Sequence, residues 1–585
     1  MRRRVISLLL VSVMVLFCFV GCAEKSNKEV MEKIGKEASK DAATISMYLM
    51  SEKKVSAEQE KRMEAAVNDI TEADYTVHVD IKYFTPDEYY ERLEKDLGRM
   101  ESVYGNGDAG KTKEEGTYID ENGLPKVHYP TLQDYDVNIF YLGGYEKYLQ
   151  YKNANYLKDI TEELEGSFKN LKATINSKLI NQLYAVNDNK HYAVPTNRAL
   201  GEYTYVLVNK DVLSESKYSA SEITSLVCHG CQDILDMVST DKTYKALYTP
   251  LYSEVDDIEL MGVKYFNATK GQLVAEKFSI LAGTYNSNWK IGAENSYPVM
   301  DSLFSSVDNG YYTAEEQLKI LKGYDIKGYY GADDTDKPFA VGYVKGGLEV
   351  YEQYGDDYEV IPVAAPKLDN ETLYESLFGV ASYSDNVSSS MQILTLLNTN
   401  EEFRNLILYG IEDENYVWVD SDVLDEHGNP YKVIERQEKD ADKLYFMDPM
   451  KTGNMAIAYT AKGEDPKAKL YLFDHNDGVE VDYILGFSFY EGEIAKAIDP
   501  ASLDALIYLT EQSELIYKEI IEADTEDALN AALAKLKALE ETDEFKAVMN
   551  PEEGSKSVLA YYTEWLIEKG LIYKEADPDD EIVVK

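Results

Sequence analysis

A chain of 585 residues with 106 acidic against 59 basic side chains carries a formal charge of −47. A phosphate backbone would be repelled, which argues against nucleic acid as a partner. The length exceeds what one simple core fills, so two or more lobes are expected. At 44% apolar and 12% aromatic residues, the composition is that of a folded protein rather than a disordered one. The 49 tyrosines suit half-buried surfaces, where the ring packs and the hydroxyl finds a partner.

The N-terminus opens with Arg2-Arg3-Arg4 and an unbroken apolar run over 5–21. At about 17 residues the run is at the short limit for a membrane span, and its basic flank and small-residue exit are those of a signal peptide. The exit Phe19-Val20-Gly21-Cys22 resembles the lipobox of bacterial lipoproteins, in which the cysteine is lipidated and becomes the mature N-terminus. Phe19 stands where that pattern prefers Leu, and Cys18 is the weaker candidate because bulky Phe17 precedes it. The bland alternative is a plain cleaved signal. Burial of acyl chains contributes about 0.8 kcal/mol per methylene, so the multiple chains of a lipoprotein anchor stably. The expectation is a protein on the extracellular face of the cell membrane of a Gram-positive type bacterium, lipid-anchored through Cys22, with 22–40 as a polar tether.

Beyond the tether, TISMYLM (44–50) reads as a strand and SAEQEKRMEAAVNDI (56–70) as a helix with Ser56 as N-cap. YTVHVDIKYF (75–84) alternates like a strand. TPDEYYERLEKDL (85–97) opens a helix with a Thr cap and Pro at the first helical position. Strand, helix, strand, helix is the signature of a parallel sheet. A Gly- and charge-rich excursion follows over 104–126. Then YDVNIFYLGGYEKYLQYKNANYLKDIT (135–161) supplies a strand over 137–142, the corner Gly143-Gly144 and a helix carrying Tyr145, Tyr148 and Tyr151. Two extended pieces surround Pro195 within 190–213, and 217–330 reads as mostly helical. Strands are expected in KPFAVGYVKGGLEV (337–350) and YEVIPVAAP (358–366), and a helix or a pair broken near Asn398-Thr399-Asn400 over 387–411. The region 420–445 reads as polar and irregular. The stretch 502–545 repeats apolar spacings of three and four, hence amphipathic helices.

Chemistry-bearing motifs are sparse. Cys228-His229-Gly230-Cys231 is the one CxxC, and the six histidines lack ligand spacing, so no metal is expected and a local disulfide or two buried thiols is the plain reading. No G-x-S-x-G, H-E-x-x-H or Cys/His nucleophile pattern occurs. With so many acids, any pair of carboxylates is uninformative about glycoside hydrolysis. The expectation is no enzyme and no cofactor.

In their order, the lipobox, the strand–helix opening, the 135–161 stretch, HYAVPTNRALGEYTYVLVNKDVL, FAVGYVKGGLEVYEQYGDDYEVIPVAAP, GVASYSDNVSSSMQILTLLNTNEEFRNLILYGIE and TGNMAIAY resemble the family 1 extracellular solute-binding proteins. These are substrate receptors of ABC importers, maltodextrin-receptor-like and of Firmicute type. The resemblance covers most of 40–575 and is least safe over 104–126 and 420–480. It implies an α/β protein of the two-lobed periplasmic-binding-protein type II fold, each lobe a mixed, mostly parallel sheet flanked by helices, with a helical C-terminal part. The implied division is 1–21 signal peptide, 22–40 tether, 41–197 and 366–465 for the first lobe, 198–365 for the second, and 466–585 as a helical segment on the second. It implies a monomer that binds a mono- or oligosaccharide in an inter-lobe cleft and delivers it to membrane permeases. A peptide or another non-sugar solute is the alternative; a secreted hydrolase or surface adhesin is a poorer one.

The site expected on this basis takes Tyr141, Gly144 and Tyr145 at the first glycine corner, where ligands of open α/β sheets sit beyond the carboxyl ends of strands. Asn197 and Arg198, after Pro195, offer hydrogen bonds to hydroxyls. Tyr343, beside Gly346-Gly347, offers a ring face, and Trp289 and Tyr383 are second-tier candidates. Each has a structural alternative: a glycine turn with packed tyrosines, an Arg198 ion pair to Glu202 or another acid, and core packing for Trp289 and Tyr383. Within the 135–161 stretch, Tyr141 and Tyr145 are expected to face ligand, and Tyr148 and Tyr151 to pack.

Overall fold

A computed structural model describes residues 42–105, 117–119, 125–127, 129–187, 189–253, 266–267, 272–273, 314–330, 337–425, 427–437, 443–482, 485–486, 498–548, 556–558, 560–561 and 564. The leader with Cys22, the tether and Trp289 lie outside the described residues. Among the described residues no helix is long and apolar enough to cross a membrane.

The chain divides into two units, each assembled from separated passages: the first ends at Arg198 and resumes over Glu371–Leu472, the second takes Ala199–Asn370 and the chain from Phe473. In the first unit β1 (Ala43–Met50) is buried at all eight positions, as a parallel strand covered on both faces must be. Helix α1 (Ala57–Tyr75) starts at Ser56, whose side chain accepts from Gln59 N, and β2 (Val77–Phe84) returns parallel to β1. Helix α2 (Pro86–Tyr104) has Pro at its first turn and runs seven residues past the predicted end, because Leu97 and Met100 continue its buried stripe. The excursion contains a short antiparallel ladder, Thr117–Ile119 with Pro125–Val127. Next come β3 (Ile139–Leu142), α3 (Tyr145–Asn153), α4 (Ser177–Val186) and β4 (Ala193–Pro195).

The second unit begins with β5 (Tyr203–Asn209). Helix α5 (His229–Thr240), β6 (Thr249–Ser253), β7 (Phe339–Gly346), α6 (Val350–Tyr354) and β8 (Tyr358–Ala364) follow. Its four-stranded sheet has the order β8-β5-β7-β6, with β5 antiparallel to β7 and β8, and β6 parallel to β7. The sequence reading took 217–330 as mostly helical, and β6, which contains Pro250, departs from it. At the end of the sheet the missing N–H disrupts no inner ladder, which is where strand prolines are tolerated.

Returning to the first unit, β9 (Leu377–Val380) enters its five-stranded sheet in the order β2-β1-β3-β9-β4. It runs antiparallel to both neighbours, pairing Leu377 with Leu142 and with Pro195. The first unit's parallel sheet thus takes its one reversed strand from the returning chain, whereas in the second unit the reversed strand is β5, from the first passage; both are mixed α/β sheets in discontinuous units. Helices α7 (Val387–Thr399) and α8 (Glu401–Tyr409) meet at Asn400, whose side chain accepts from Phe403 N at 2.8 Å. The region read as irregular over 420–445 is in part a two-stranded ribbon, Tyr416–Leu424 with Pro430–Arg436. Its turn is built on Asp425, whose Oδ1 accepts from His427 N and Asn429 N, and a ribbon with much polar surface leaves little alternation to read. Helices α9 (Pro500–Glu522) and α10 (Glu526–Ala538) bury Leu506, Leu509, Ile520, Leu529, Leu533 and Leu536 in one cluster with Val206, Val208, Ile234 and Val341 of the second unit.

One buried group makes the first unit sensitive to acid. His191 is 1% exposed, and among the described residues neither ring nitrogen has a hydrogen-bond partner. Its ring lies 4.9 Å from that of Tyr184 on α4. Burial, aided by nearby Lys172 and opposed by Glu165 and Asp159, lowers its pKa to about 4. In the unfolded chain an imidazole titrates near 6.5, so between these values the unfolded state binds the extra proton and stability falls as pH drops. Urea unfolding measured across about pH 7 to 4 should show His191→Phe, which keeps a ring against Tyr184, losing less stability over that window than the wild type.

Candidate functional site

In the first unit the carboxyl ends of β1, β2 and β3 lie with the start of β9 and the end of β4. The corner after β3 is closed tightly. Gly143 donates its N–H to Tyr90 Oη at 3.2 Å, and a Cβ there would lie 2.3 Å from Tyr141 Oη and 2.8 Å from the Glu375 carbonyl. Gly144 has φ +95 and precedes α3 as its N-cap, a conformation that side chains resist. Its N–H donates to the Tyr374 carbonyl at 2.8 Å, and a Cβ added to it would meet nothing within 4 Å. Gly143 is thus closed by packing and Gly144 by backbone geometry.

The tyrosines around this corner are packed. Tyr141 bridges from its hydroxyl to the Glu375 carbonyl (3.2 Å) and sets its ring edge-on to Phe378. Burial pushes its pKa well up, with Tyr90, Asp448 and Glu375 as further neighbours. Tyr145 is 4% exposed, with its ring 4.9 Å from that of Tyr374, and Tyr148 lies on the same ring at 4.5 Å. The expected division of Tyr141 and Tyr145 from Tyr148 and Tyr151 is therefore absent here: all four rings are buried.

Asn197 and Arg198 are buried too. Asn197 Oδ1 accepts from Asn176 N at 3.2 Å, and its carbonyl accepts from Met455 N at 2.8 Å. Arg198 is fully enclosed. Its Nε donates to Glu375 at 3.0 Å, Nη1 to the Thr196 carbonyl at 3.2 Å, and Nη2 to the Thr372 carbonyl. Burial pulls its pKa down, and the Glu375 carboxylate opposes that. Of the acids open to Arg198, Glu202 or another, the one that pairs with it is Glu375. Tyr343 sits mid-strand on β7 opposite Val206, 4% exposed within the helix-side core. Tyr383 follows β9, half-buried beside Gly105 at the C-terminus of α2, the sheet end opposite the glycine corner.

What the edge exposes is a different set. The Glu375 carboxylate is 54% exposed. Lys451 Nζ lies 2.8 Å from Glu52 and 3.2 Å from Asp448, all partly exposed. Lys451 is thus held between two carboxylates, and the Glu375 carboxylate, paired with Arg198, opens separately at the same sheet edge.

The second unit has its own glycine corner, Gly346-Gly347, at the carboxyl end of β7. Glu349 accepts from Gly347 N at 2.7 Å, and Tyr205 Oη donates to the Gly347 carbonyl at 2.9 Å. Tyr203 and Tyr205, two apart on β5, share the face opposite Val206 and Val208. Their rings stack at 5.9 Å, and Tyr351 of α6 stands edge-on to Tyr205 at 5.7 Å. Tyr351 is 44% exposed and Tyr203 partly so. Beside Tyr203 lie His475, edge-on at 5.2 Å, and Gly478, where a side chain would collide with the Tyr203 hydroxyl. Sequence reasoning missed Tyr203 and Tyr351, although the Tyr-x-Tyr-x-Leu alternation of 203–207 marks that face.

No family model and no curated protein matches the sequence. Among solved structures, the chain is similar to an N-glycan transport solute binding protein from Streptococcus pneumoniae, at 17% identity, covering 90% of this chain and 100% of that one, with a TM-score of 0.49. An extracellular solute-binding protein from Bifidobacterium longum subsp. infantis has 12% identity, coverages of 90% and 98%, and a TM-score of 0.41. An ABC substrate-binding protein from Listeria monocytogenes, in complex with cycloalternan, has 13%, 86% and 99%, and 0.32.

The packing of Arg198 makes a stability prediction. Arg198→Ala orphans carbonyls that it now satisfies, each worth about 1–3 kcal/mol when buried, so a loss of roughly 2–5 kcal/mol is expected by denaturant unfolding. Glu375→Gln keeps those bonds and weakens a half-exposed pair, so its loss should stay below about 1 kcal/mol.

Proposed function

We propose that the protein is a lipid-anchored extracellular receptor of an ABC importer, binding a mono- or oligosaccharide and presenting it to membrane permeases without chemical change. The observation that carries the reading is the pair of partly exposed rings Tyr203 and Tyr351, set against buried Tyr205 at the glycine-cornered edge of the second unit's sheet. The C–H face of a pyranose packs on such rings, while fixed polar groups select its hydroxyls. The first unit's edge offers matching chemistry in Glu52, Glu375, Asp448 and Lys451. Edges of this kind, beyond the carboxyl ends of strands, are where open α/β sheets take ligands. The lipobox-like Phe19-Val20-Gly21-Cys22 supports the anchor and the extracellular site.

In this reading Gly144, Tyr141 and Tyr145 shape the first edge from behind, Asn197 and Arg198 brace it, and Tyr351 and Tyr203 touch sugar. A ligand that binds only the folded state stabilises it by about 2.7 kcal/mol at one hundred times Kd. A thermal-shift screen of sugars and peptides should therefore give a rise of several degrees with one class of glycan and none with peptides. Tyr351→Ala should weaken glycan affinity roughly tenfold, about 1.4 kcal/mol, with the unliganded Tm nearly unchanged because the ring is half exposed. Stabilisation by peptides alone, or hydrolysis of the glycan, would sink the proposal.

A further inference from the structure

The CxxC segment is not absorbed by the receptor reading, and its geometry is specific. Cys228 is the N-cap of α5, in extended backbone conformation, and its Sγ accepts the N–H of Cys231 at 3.4 Å across the first helical turn. Both thiols are free, Cys228 half-buried and Cys231 wholly buried. Between them, Gly230 lets the preceding loop press on the turn: a side chain there would come within 2.5 Å of Ile223 Cδ1. Residues 226–227 and the α5 residues Ile234 and Leu235 enclose Cys231 in the core without any crosslink.

We propose that Cys228 and Cys231 form a redox-active dithiol that exchanges with small-molecule disulfides, Cys228 attacking and Cys231 resolving. The arrangement supplies what each step needs. An attacking thiol must reach solvent as thiolate, and donors at a helix N-terminus stabilise that anion. Hydrogen bonds from the Cys231 thiol, then from backbone N–H groups, lower the Cys228 pKa to about 5 against its burial, whereas the Cys231 pKa is raised. The Cys228 thiolate attacks one sulfur of a disulfide RSSR, forming a mixed disulfide and expelling RS⁻, which takes a proton from water. Cys231 then loses its proton to solvent, attacks Cys228 Sγ and expels the second RS⁻. Two protein thiols are oxidised and one RSSR is reduced to two thiols. A crosslink across a single turn closes so short a loop that it restricts the unfolded chain little. Its value is therefore as a reversible couple rather than as a staple. The inference stands apart from the sugar-receptor reading.

The test equilibrates the full-length protein in glutathione buffers of stepped oxidised-to-reduced ratio, quenches with acid, alkylates, and maps the peptide that carries residues 228–231, away from Cys18 and Cys22. A single reversible two-electron transition is expected. Cys231→Ser should accumulate a glutathione adduct on Cys228, whereas Cys228→Ser should form none on Cys231. In the wild type, the iodoacetamide rate at Cys228 should change by less than about twofold between pH 8 and pH 6, where an ordinary thiol slows roughly 100-fold. A pair untouched by oxidised glutathione, a folded Cys231→Ser protein without adduct, or an ordinary pH profile would each overturn the proposal. Should a variant fail to fold, the two wild-type measurements decide it.

Discussion

The first unit depends on a guanidinium where the chain leaves it. Arg198 is the last residue before the chain passes into the second unit, and Thr372 and Glu375 lie just after it returns. By bonding the Thr196 carbonyl behind it and the Thr372 carbonyl and Glu375 carboxylate ahead, Arg198 ties departure to return. The far end of the returning passage is fastened beside it, with Met455 N on the Asn197 carbonyl and Ser376 Oγ on the Met450 carbonyl. A fixed planar fork of donors suits this better than an ammonium would. The second unit solves the same problem with amide and imidazole groups. Asn476 accepts from Leu200 N, His475 Nε2 donates to the Gly201 carbonyl, and Asn370 accepts from Gly486 N.

With its crossings fixed, the first unit can hold a tight corner at its sheet edge. The cost of Gly144's left-handed φ is met by the Tyr374 carbonyl beneath it, and Tyr374 in turn packs under Tyr145 and Tyr148. The tyrosines of α3 are therefore the foundation of the corner. Buried phenols support neighbouring backbone well because each adds a large ring and one directional bond, as Tyr89 does on the Tyr141 carbonyl at 2.9 Å.

The strand-helix alternation was legible from the start because buried parallel strands read as continuous apolar runs, and because Ser56 and Thr85-Pro86 punctuate the helices. The glycine corners were legible as well, since Gly143-Gly144 and Gly346-Gly347 follow apolar strands directly. Which ring faces solvent was not. Tyr145 and Tyr351 both sit just past a glycine corner on a helix, yet one is buried under Tyr374 and the other open. The difference is made by Tyr374, 229 positions from Tyr145 in the chain, which no local pattern encodes. An ion pair for Arg198 was legible, but not which acid makes it: Glu375 arrives only on the return passage, while Glu202 was merely near in sequence. The ribbon over 416–436 failed differently, because its exposed positions carry the charges of a surface loop.

These arrangements bear on how an edge can select a solute. Groups that bind must be held by groups that do not, since a loosely held donor or ring loses affinity to its own ordering. In the proposed receptor the two roles would fall on different residues. Tyr205 is buried and anchored to Gly347, and it fixes the stacked Tyr203 and the edge-on Tyr351. Arg198 is buried and holds the Glu375 carboxylate that it leaves half open. Exposed members can then vary in sequence without unfolding the sheet, while the buried members behind them cannot. A fold built this way can keep its architecture while its exposed edge residues change, because those residues contribute little to stability.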